Sequence, residues 1–106
     1  SLRYQAIEDG QAQAVLAFST DGQIAGMDLV LLEDDKNLWL PYNVAPVVRE
    51  ATLTANPGIA DALNPLAPIL TDDIMSALNW QVDGPDKLDP EEVARTFLVE
   101  QGLISG

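Results

Sequence analysis

Two short apolar runs in the first third of the chain set its predicted architecture. Residues 12–18 (AQAVLAF) and residues 27–32 (MDLVLL) are nearly continuous hydrophobic stretches. Each run is too short for a typical helix, and a run of this length fits a strand that is buried on both faces, as in a parallel sheet. Residues 19–22 (STDG) are a turn signal that directly follows the first run. We therefore predict two strands, the first of which ends in a turn.

The remaining segments carry helix signals. Gly10 is well placed to end a first helix, and Asp89-Pro90-Glu91-Glu92 combines a capping carboxylate, a proline at the first helical position and acidic residues in the first turn. Helices are predicted over residues 2–9, 46–56 and 57–63, after the Thr71 cap, and from Pro90 to a stop at Gly102. This order predicts an α/β fold with few strands and several helices. Because two strands make a poor independent sheet, something else must supply the rest of the sheet.

The chain length and the net charge exclude several architectures and several classes of partner. A chain of 106 residues is enough for one small domain with one core, but not for two lobes with a cleft between them. Its net charge of −12 argues against nucleic acid and against anionic lipid as partners, because both require clustered lysine and arginine. The acidic surface is explained by solvation alone. No apolar run reaches the ~18 residues that a membrane span requires.

Catalytic and metal-binding chemistry have little support. The chain has no cysteine and no histidine, so thiolate sites are excluded and the commonest general base is absent. Asp34-Asp35 and Asp72-Asp73 are adjacent acid pairs, but a strand-end turn and a helix start explain them, and neither has calcium-loop spacing. We predict no catalytic residue, no cofactor and no metal site.

Two aromatic residues offer the best candidate chemistry. Phe18 ends the first predicted strand just before Thr20, and in open α/β sheets ligands gather outside the carboxyl ends of the strands. Tyr42 lies in an extended, proline-containing segment. An aromatic face attracts a quaternary ammonium group by about 0.5–2 kcal/mol per ring. Composition alone leaves open, and favours, the alternative that both rings are core residues.

Strings of residues along nearly the whole chain resemble one family in the same order: residues 4–11 (YQAIEDGQ), 18–22 (FSTDG), 31–36 (LLEDDK), 41–49 (PYNVAPVVR), 62–66 (ALNPL), 78–83 (LNWQVD) and 90–98 (PEEVARTFL). This family is that of the osmoprotectant substrate-binding proteins of ABC transporters, which capture glycine betaine, choline or related compounds. The string around Phe18 is most similar to the low-affinity branch typified by YehZ and OsmF. The resemblance is to the C-terminal part of such a protein, and a full member is more than twice this long.

The resemblance implies a partial type II periplasmic-binding-protein fold, with residues 1–106 as one C-terminal segment. It implies that Phe18 and Tyr42 occupy positions of tyrosines that cage a trimethylammonium group, and that Thr20 offers a hydroxyl to the ligand. Asp21 and Asn43 fall beside the cleft or hinge. Phe18 lacks the phenolic hydroxyl of the usual tyrosine, so one hydrogen bond of the family pattern is absent.

The function that follows is ligand capture for an ABC importer, with a quaternary-ammonium osmolyte and the permease subunits as partners. The expected location is periplasmic or extracellular, at the membrane through the transporter. The chain starts at Ser1 without an initiator methionine, which is typical of an excised piece, and a fragment should not form a complete site. The alternative function is therefore an interaction module that self-associates or swaps elements through its truncated surface without binding ligand.

Overall fold

Helices account for the regular secondary structure of the residues that the computed structural model describes, 2–40 and 43–106. They are α1 (Leu2–Glu8), α2 (Gly22–Gly26), α3 (Glu50–Ala55), α4 (Gly58–Leu63), α5 (Asp72–Asp83) and α6 (Pro90–Glu100), with a 3₁₀ turn (Asn64–Leu66) directly after α4. Local signals place most of these helices correctly. The Asp89 carboxylate caps α6 by accepting hydrogen bonds from the backbone N–H groups of Glu91 at 2.9 Å and Glu92 at 3.3 Å.

The predicted helix from Pro46 begins later than expected. Helix α3 starts at Glu50, and residues 43–49 have no regular secondary structure. Val47 and Val48 are β-branched and lower the helix propensity directly after Pro46, which explains the late start.

Gly10 ends the region of α1 as predicted, with a φ of 69° that an L-residue with a side chain adopts at a cost.

The two predicted strands are wrong for the chain in this structure. Residues 12–18 and 29–32 have no regular secondary structure, and no strand occurs anywhere in the described parts of the chain. A strand requires a neighbour to satisfy its backbone hydrogen bonds, and the described residues offer none. The apolar side chains of these segments are instead largely exposed: Leu16 is 66% exposed and Val30 is 83% exposed.

The chain divides into two units. One contains residues 2–31 together with residues 72–106, and the other contains residues 32–40 and 43–71. In the first unit α2 packs against α5, and α5 packs against α6. Its buried apolar residues are Tyr4, Val93 and Phe97. Val93 and Phe97 are four residues apart and therefore lie on one face of α6, as the apolar pattern predicts.

Glycines make the close packing of α2 on α5 possible. A β-carbon at Gly22 would lie 2.7 Å from the backbone nitrogen of Trp80, and one at Gly26 would overlap the Trp80 indole ring. The contact at Gly22 is with backbone, which cannot rotate away as a side chain can. The absence of a side chain at these positions lets the start of α2 approach α5 directly.

The second unit is built around α3 and α4, which pack against each other. A turn precedes them, in which the Asp34 carboxylate accepts a hydrogen bond from the Trp39 backbone N–H at 2.7 Å. Backbone N–H groups of Trp39, Leu38 and Lys36 hold the pKa of Asp34 below its usual value, because they stabilise the ionised carboxylate. This unit has no buried residue among those described.

Among the described residues, no helix is both long and apolar enough to cross a bilayer.

Replacing Gly22 with alanine should destabilise the first unit by about 1–3 kcal/mol, because the new methyl group meets the backbone of α5. The measurement is the midpoint of chemical denaturation of the natural polypeptide that carries this sequence. Gly58→Ala is the matched control, since a β-carbon there has no neighbour within 4 Å and alanine favours a helix over glycine by ~1 kcal/mol. Equal midpoints for the two variants would show that the close approach at Gly22 is not required.

Candidate functional site

The segment of residues 18–22, here called the Phe18 loop, joins the first apolar run to α2. It closes as a turn in which the Asp21 N–H donates to the Phe18 carbonyl at 3.0 Å. The Asp21 carbonyl then accepts from the Ile24 N–H at 3.1 Å, at the start of α2. The sequence STDG thus forms the turn that its composition predicts, followed by a short helix that the sequence did not indicate.

The Asp21 side chain ties this loop to α1. Its Oδ2 atom accepts hydrogen bonds from Arg3 Nη2 at 2.5 Å, from the Tyr4 hydroxyl at 2.6 Å and from the Phe18 backbone N–H at 3.3 Å. The contact with Arg3 is also an ion pair, and both side chains are only partly exposed. One carboxylate oxygen therefore joins the beginning of the loop to two neighbouring residues of a separate helix.

Helix α5 holds the other side of the Phe18 loop. Asn79 Nδ2 donates to the Thr20 carbonyl at 2.7 Å, and the Ser76 hydroxyl donates to the Asp21 carbonyl at 2.8 Å. Ser76 Oγ also accepts from the Ala25 N–H at 3.2 Å. Ser76 is 2% exposed, so both bonds are shielded from water. The loop backbone is consequently fixed from two sides, by α1 and by α5.

The residues that fix the loop are here called the anchor: Arg3, Tyr4, Asp21, Ser76 and Asn79. The charges of the anchor lie on Arg3 and Asp21, with the Tyr4 hydroxyl between them in the hydrogen-bond network. Burial raises the pKa of Tyr4 to about 12, and the hydrogen bond to the Asp21 carboxylate and its negative charge add to the shift. Tyr4 is 4% exposed, which agrees with burial as the largest cause. The Arg3 guanidinium lies 5.2 Å from the centre of the Tyr4 ring. At neutral pH the tyrosine hydroxyl is therefore protonated and donates to the carboxylate.

Phe18 and Thr20, two of the residues predicted to contact ligand, lie together on this anchored loop. Phe18 is 61% exposed in this chain, and its role as a ligand-contacting ring stays a prediction beside the alternative of a core position. Thr20 is partly exposed, and its hydroxyl makes no hydrogen bond with another described residue. Asp21, predicted beside the cleft or hinge, is the acceptor at the centre of the anchor.

Tyr42 and Asn43 belong to a different part of the chain. The prediction for Tyr42 lies outside the described residues. Asn43 is exposed and has no regular secondary structure. The structure therefore adds no geometry for these two predicted site residues.

Four residues of the anchor were missed by sequence reasoning: Arg3, Tyr4, Ser76 and Asn79. The bonds that they form with the loop join residues 17 to 59 positions apart. One signal was available, since Ser76 and Asn79 are three positions apart and so lie on one face of the predicted helix. No comparable local pattern marks Arg3 and Tyr4 as partners of Asp21.

Among the described residues, no group of three or more His, Cys, Asp or Glu side chains could hold a metal ion.

Comparison with protein-family models gives one match that covers almost the whole chain. The model described as the substrate binding domain of ABC-type glycine betaine transport system matches residues 1–100.

Curated relatives give the same result. The carnitine transport binding protein OpuCC of Listeria monocytogenes is 32% identical over 99% of this chain and 34% of its own length. The glycine-betaine-binding protein of Pseudomonas aeruginosa is 37% identical over 97% of this chain and 33% of its own length. The glycine betaine-binding protein YehZ of Escherichia coli is 30% identical over 96% of this chain and 33% of its own length. The chain thus spans about a third of the length of the relatives that it matches.

The raised pKa of Tyr4 predicts a loss of stability at alkaline pH. An unfolded tyrosine ionises near its model value of 10.0, whereas folded Tyr4 keeps its proton to about 12. Between these values the unfolded state releases the proton first, so the free energy of unfolding should fall as pH rises from 10 toward 12. Below 10 the contribution of Tyr4 is fully present. The check is denaturation as a function of pH, with Tyr4→Phe as the control that lacks this group; identical alkaline slopes for both proteins would contradict the assignment.

Proposed function

Because the chain belongs to the family of substrate-binding domains of ABC-type glycine betaine transport systems, we propose that it takes part in capturing a quaternary-ammonium osmolyte for an ABC importer. The family is one of transport binding proteins rather than enzymes. The names of the relatives, which refer to carnitine and to glycine betaine, support a small zwitterionic or cationic ligand of this class. Choline, expected from the resemblance, belongs to the same chemical class.

One observation carries this proposal: Phe18 presents an exposed aromatic ring from a loop whose backbone is fixed on two sides. A ring face attracts a methylated ammonium group through its quadrupole. Fixing the backbone before the ligand arrives reduces the ordering cost of binding. A phenylalanine supplies this attraction without the hydrogen bond that a tyrosine hydroxyl would add.

We place Thr20 as a polar partner of the ligand. Its hydroxyl is not used by the described residues around it, and its carbonyl is already held by Asn79. A threonine hydroxyl can donate to a carboxylate such as that of glycine betaine. We also propose Tyr42 as a ligand-contacting ring and Asn43 as a residue of the cleft or hinge, both on the strength of the family resemblance alone.

The proposal extends to the fold and to the partners of the whole protein. We propose that residues 1–106 act as the C-terminal segment of one type II periplasmic-binding-protein domain. Residues 12–18 and 27–32 would then pair with strands that this chain does not contain, and their exposed apolar side chains support that expectation. The permease subunits of the importer would be the protein partners, with the binding protein at the membrane on the periplasmic or extracellular side.

The alternative function, self-association without ligand, is favoured by a separate observation. Leu16 and Val30, which lie in the two predicted strands, are 66% and 83% exposed. Two copies could cover these segments by pairing them edge to edge. Light scattering of the 106-residue chain over a range of concentrations tests this alternative: a mass that stays at 11.4 kDa would rule it out, and a dimer that fails to bind ligand would favour it over the transport function.

Truncating Phe18 should weaken the binding of glycine betaine or choline. Loss of a cation–π contact of about 0.5–2 kcal/mol corresponds to a dissociation constant that is ~2- to 30-fold higher for Phe18→Ala. Phe18→Tyr should bind at least as tightly as the original protein, because it keeps the ring and adds a hydroxyl. The measurement is isothermal titration calorimetry on the natural polypeptide that carries this sequence.

Two controls separate ring attraction from general damage. Leu88→Ala removes a partly exposed apolar side chain of the same unit and should leave the affinity unchanged. The uncharged carbon isostere of choline should bind equally weakly to the original protein and to Phe18→Ala. Unchanged affinity for the charged ligand in Phe18→Ala would remove the main support for the proposed site.

A further inference from the structure

The Asp21 carboxylate occupies a central position in the Phe18 loop that capping does not explain. Asp21 immediately precedes α2, yet its side chain makes no cap hydrogen bond to that helix. Its Oδ2 atom instead accepts from Arg3, Tyr4 and Phe18. By contrast, Asp89 at the start of α6 directs its carboxylate to the first N–H groups of its own helix. The same residue type at two helix starts therefore serves two different purposes.

We propose that Asp21 is a positioning residue for the ligand-contacting loop, which acts on the ligand through Phe18 without touching it. This inference rests on the proposed function and deepens it. Three contacts carry it: the Phe18 N–H bond fixes the backbone that bears the ring, and the Arg3 and Tyr4 bonds fix Asp21 itself against α1. The position of the backbone that carries the ring consequently depends on Arg3 and Tyr4, which are 15 and 14 positions away in the chain.

Charge balance gives Asp21 a second role at the same place. Arg3 is a cation 5.2 Å from the Tyr4 ring and pairs with Asp21 as its ionic partner. An unpaired guanidinium near the Phe18 loop would repel a quaternary ammonium ligand. The Asp21 carboxylate cancels that charge. The chain thus keeps a hydrogen-bond donor next to the loop without presenting net positive charge to a cationic ligand.

Ser76 and Asn79 hold the second half of the loop, whereas the Asp21 carboxylate contacts its first residue. These α5 side chains bind the carbonyl groups of Thr20 and Asp21. The Phe18 carbonyl accepts the turn bond from the Asp21 N–H, and the Phe18 N–H donates to Asp21 Oδ2. Loss of the carboxylate therefore removes the bond to the Phe18 N–H and the link from the loop to α1, while α5 continues to hold the other end.

The test compares Asp21→Asn with Asp89→Asn in the natural polypeptide that carries this sequence. Asp21→Asn removes the charge and one of the strongest types of acceptor, and we expect the dissociation constant for glycine betaine to rise roughly five- to tenfold. Asp89→Asn makes the same chemical change at a carboxylate that caps α6 and should leave the affinity unchanged. The Phe18 amide proton, followed by nuclear magnetic resonance, should move upfield in Asp21→Asn, because it loses a carboxylate acceptor, and should stay unchanged in Asp89→Asn.

Tyr4→Phe separates positioning from charge. This variant deletes one donor to Asp21 without altering any charge, and a phenylalanine fits a site in which tyrosine is buried. We expect a smaller loss of affinity, about two- to threefold, together with a shift of the Phe18 amide resonance. The loss should persist at high salt, whereas a purely electrostatic effect of Arg3 on the ligand would be screened.

The possible outcomes are distinguishable. If Asp21→Asn shifts the Phe18 amide but binds within twofold of the original protein, Asp21 holds the loop without positioning the ligand, and the inference is overturned while the proposed function stands. An unshifted Phe18 amide overturns it as well. If the original protein binds no quaternary ammonium compound at all, the proposed function fails and the inference fails with it.

Discussion

The hydrogen bonds between α5 and the Phe18 loop are the interaction on which the rest of the first unit depends. Ser76 and Asn79 bind two consecutive loop carbonyls, and Ser76 also accepts from Ala25 in α2. These bonds require the two backbones to come within side-chain reach. Gly22 and Gly26 permit that approach, since a β-carbon at either would collide with Trp80. The glycines thus allow the approach of α2 to α5 on which the hydrogen bonds of Ser76 and Asn79 depend.

This arrangement has a functional consequence, because it fixes backbone and leaves side chains exposed. The carbonyl groups of Thr20 and Asp21 are occupied, whereas the Thr20 hydroxyl and the Phe18 ring remain accessible. A loop with satisfied backbone and exposed side chains is the arrangement that the proposed ligand contact requires. The need to satisfy buried polar groups thus explains why the carbonyl groups of this turn point toward α5 side chains.

Sequence reasoning predicted what is decided locally. The cap at Asp89 and the stop at Gly10 depend on neighbouring residues, and both are confirmed. The turn after Phe18 depends on four adjacent residues and is also confirmed, whereas the short helix α2 was missed. The strand predictions were wrong because a segment forms a strand only when a second strand pairs with its backbone. Residues 12–18 have the composition of a buried strand, but the described chain holds no strand to pair with.

The residues of the candidate site likewise fall into those that neighbouring sequence predicts and those that only the packing of helices reveals. Phe18 and Thr20 could be selected from the apolar run and the turn that follows it. Arg3, Tyr4, Ser76 and Asn79 could not, because their contacts with the loop depend on how separate helices pack. The family resemblance, by contrast, was readable from strings spread along the chain, and the match over residues 1–100 confirms it. Resemblance therefore identified the class of protein, while only the structure identified what holds the loop in place.

The Phe18 loop and the exposed apolar segments differ in how far their contacts are satisfied within the described chain. The Phe18 loop is complete within the first unit, since its partners Arg3, Tyr4, Ser76 and Asn79 all belong to it. Residues 12–18, which lead into that loop, leave Leu16 exposed and their backbone without a strand partner. Hydrophobic burial needs a large contiguous surface, whereas a few directional hydrogen bonds can fix a loop with only two short helices. A chain that spans about a third of the length of its relatives can therefore hold the Phe18 loop in place although its apolar segments remain exposed.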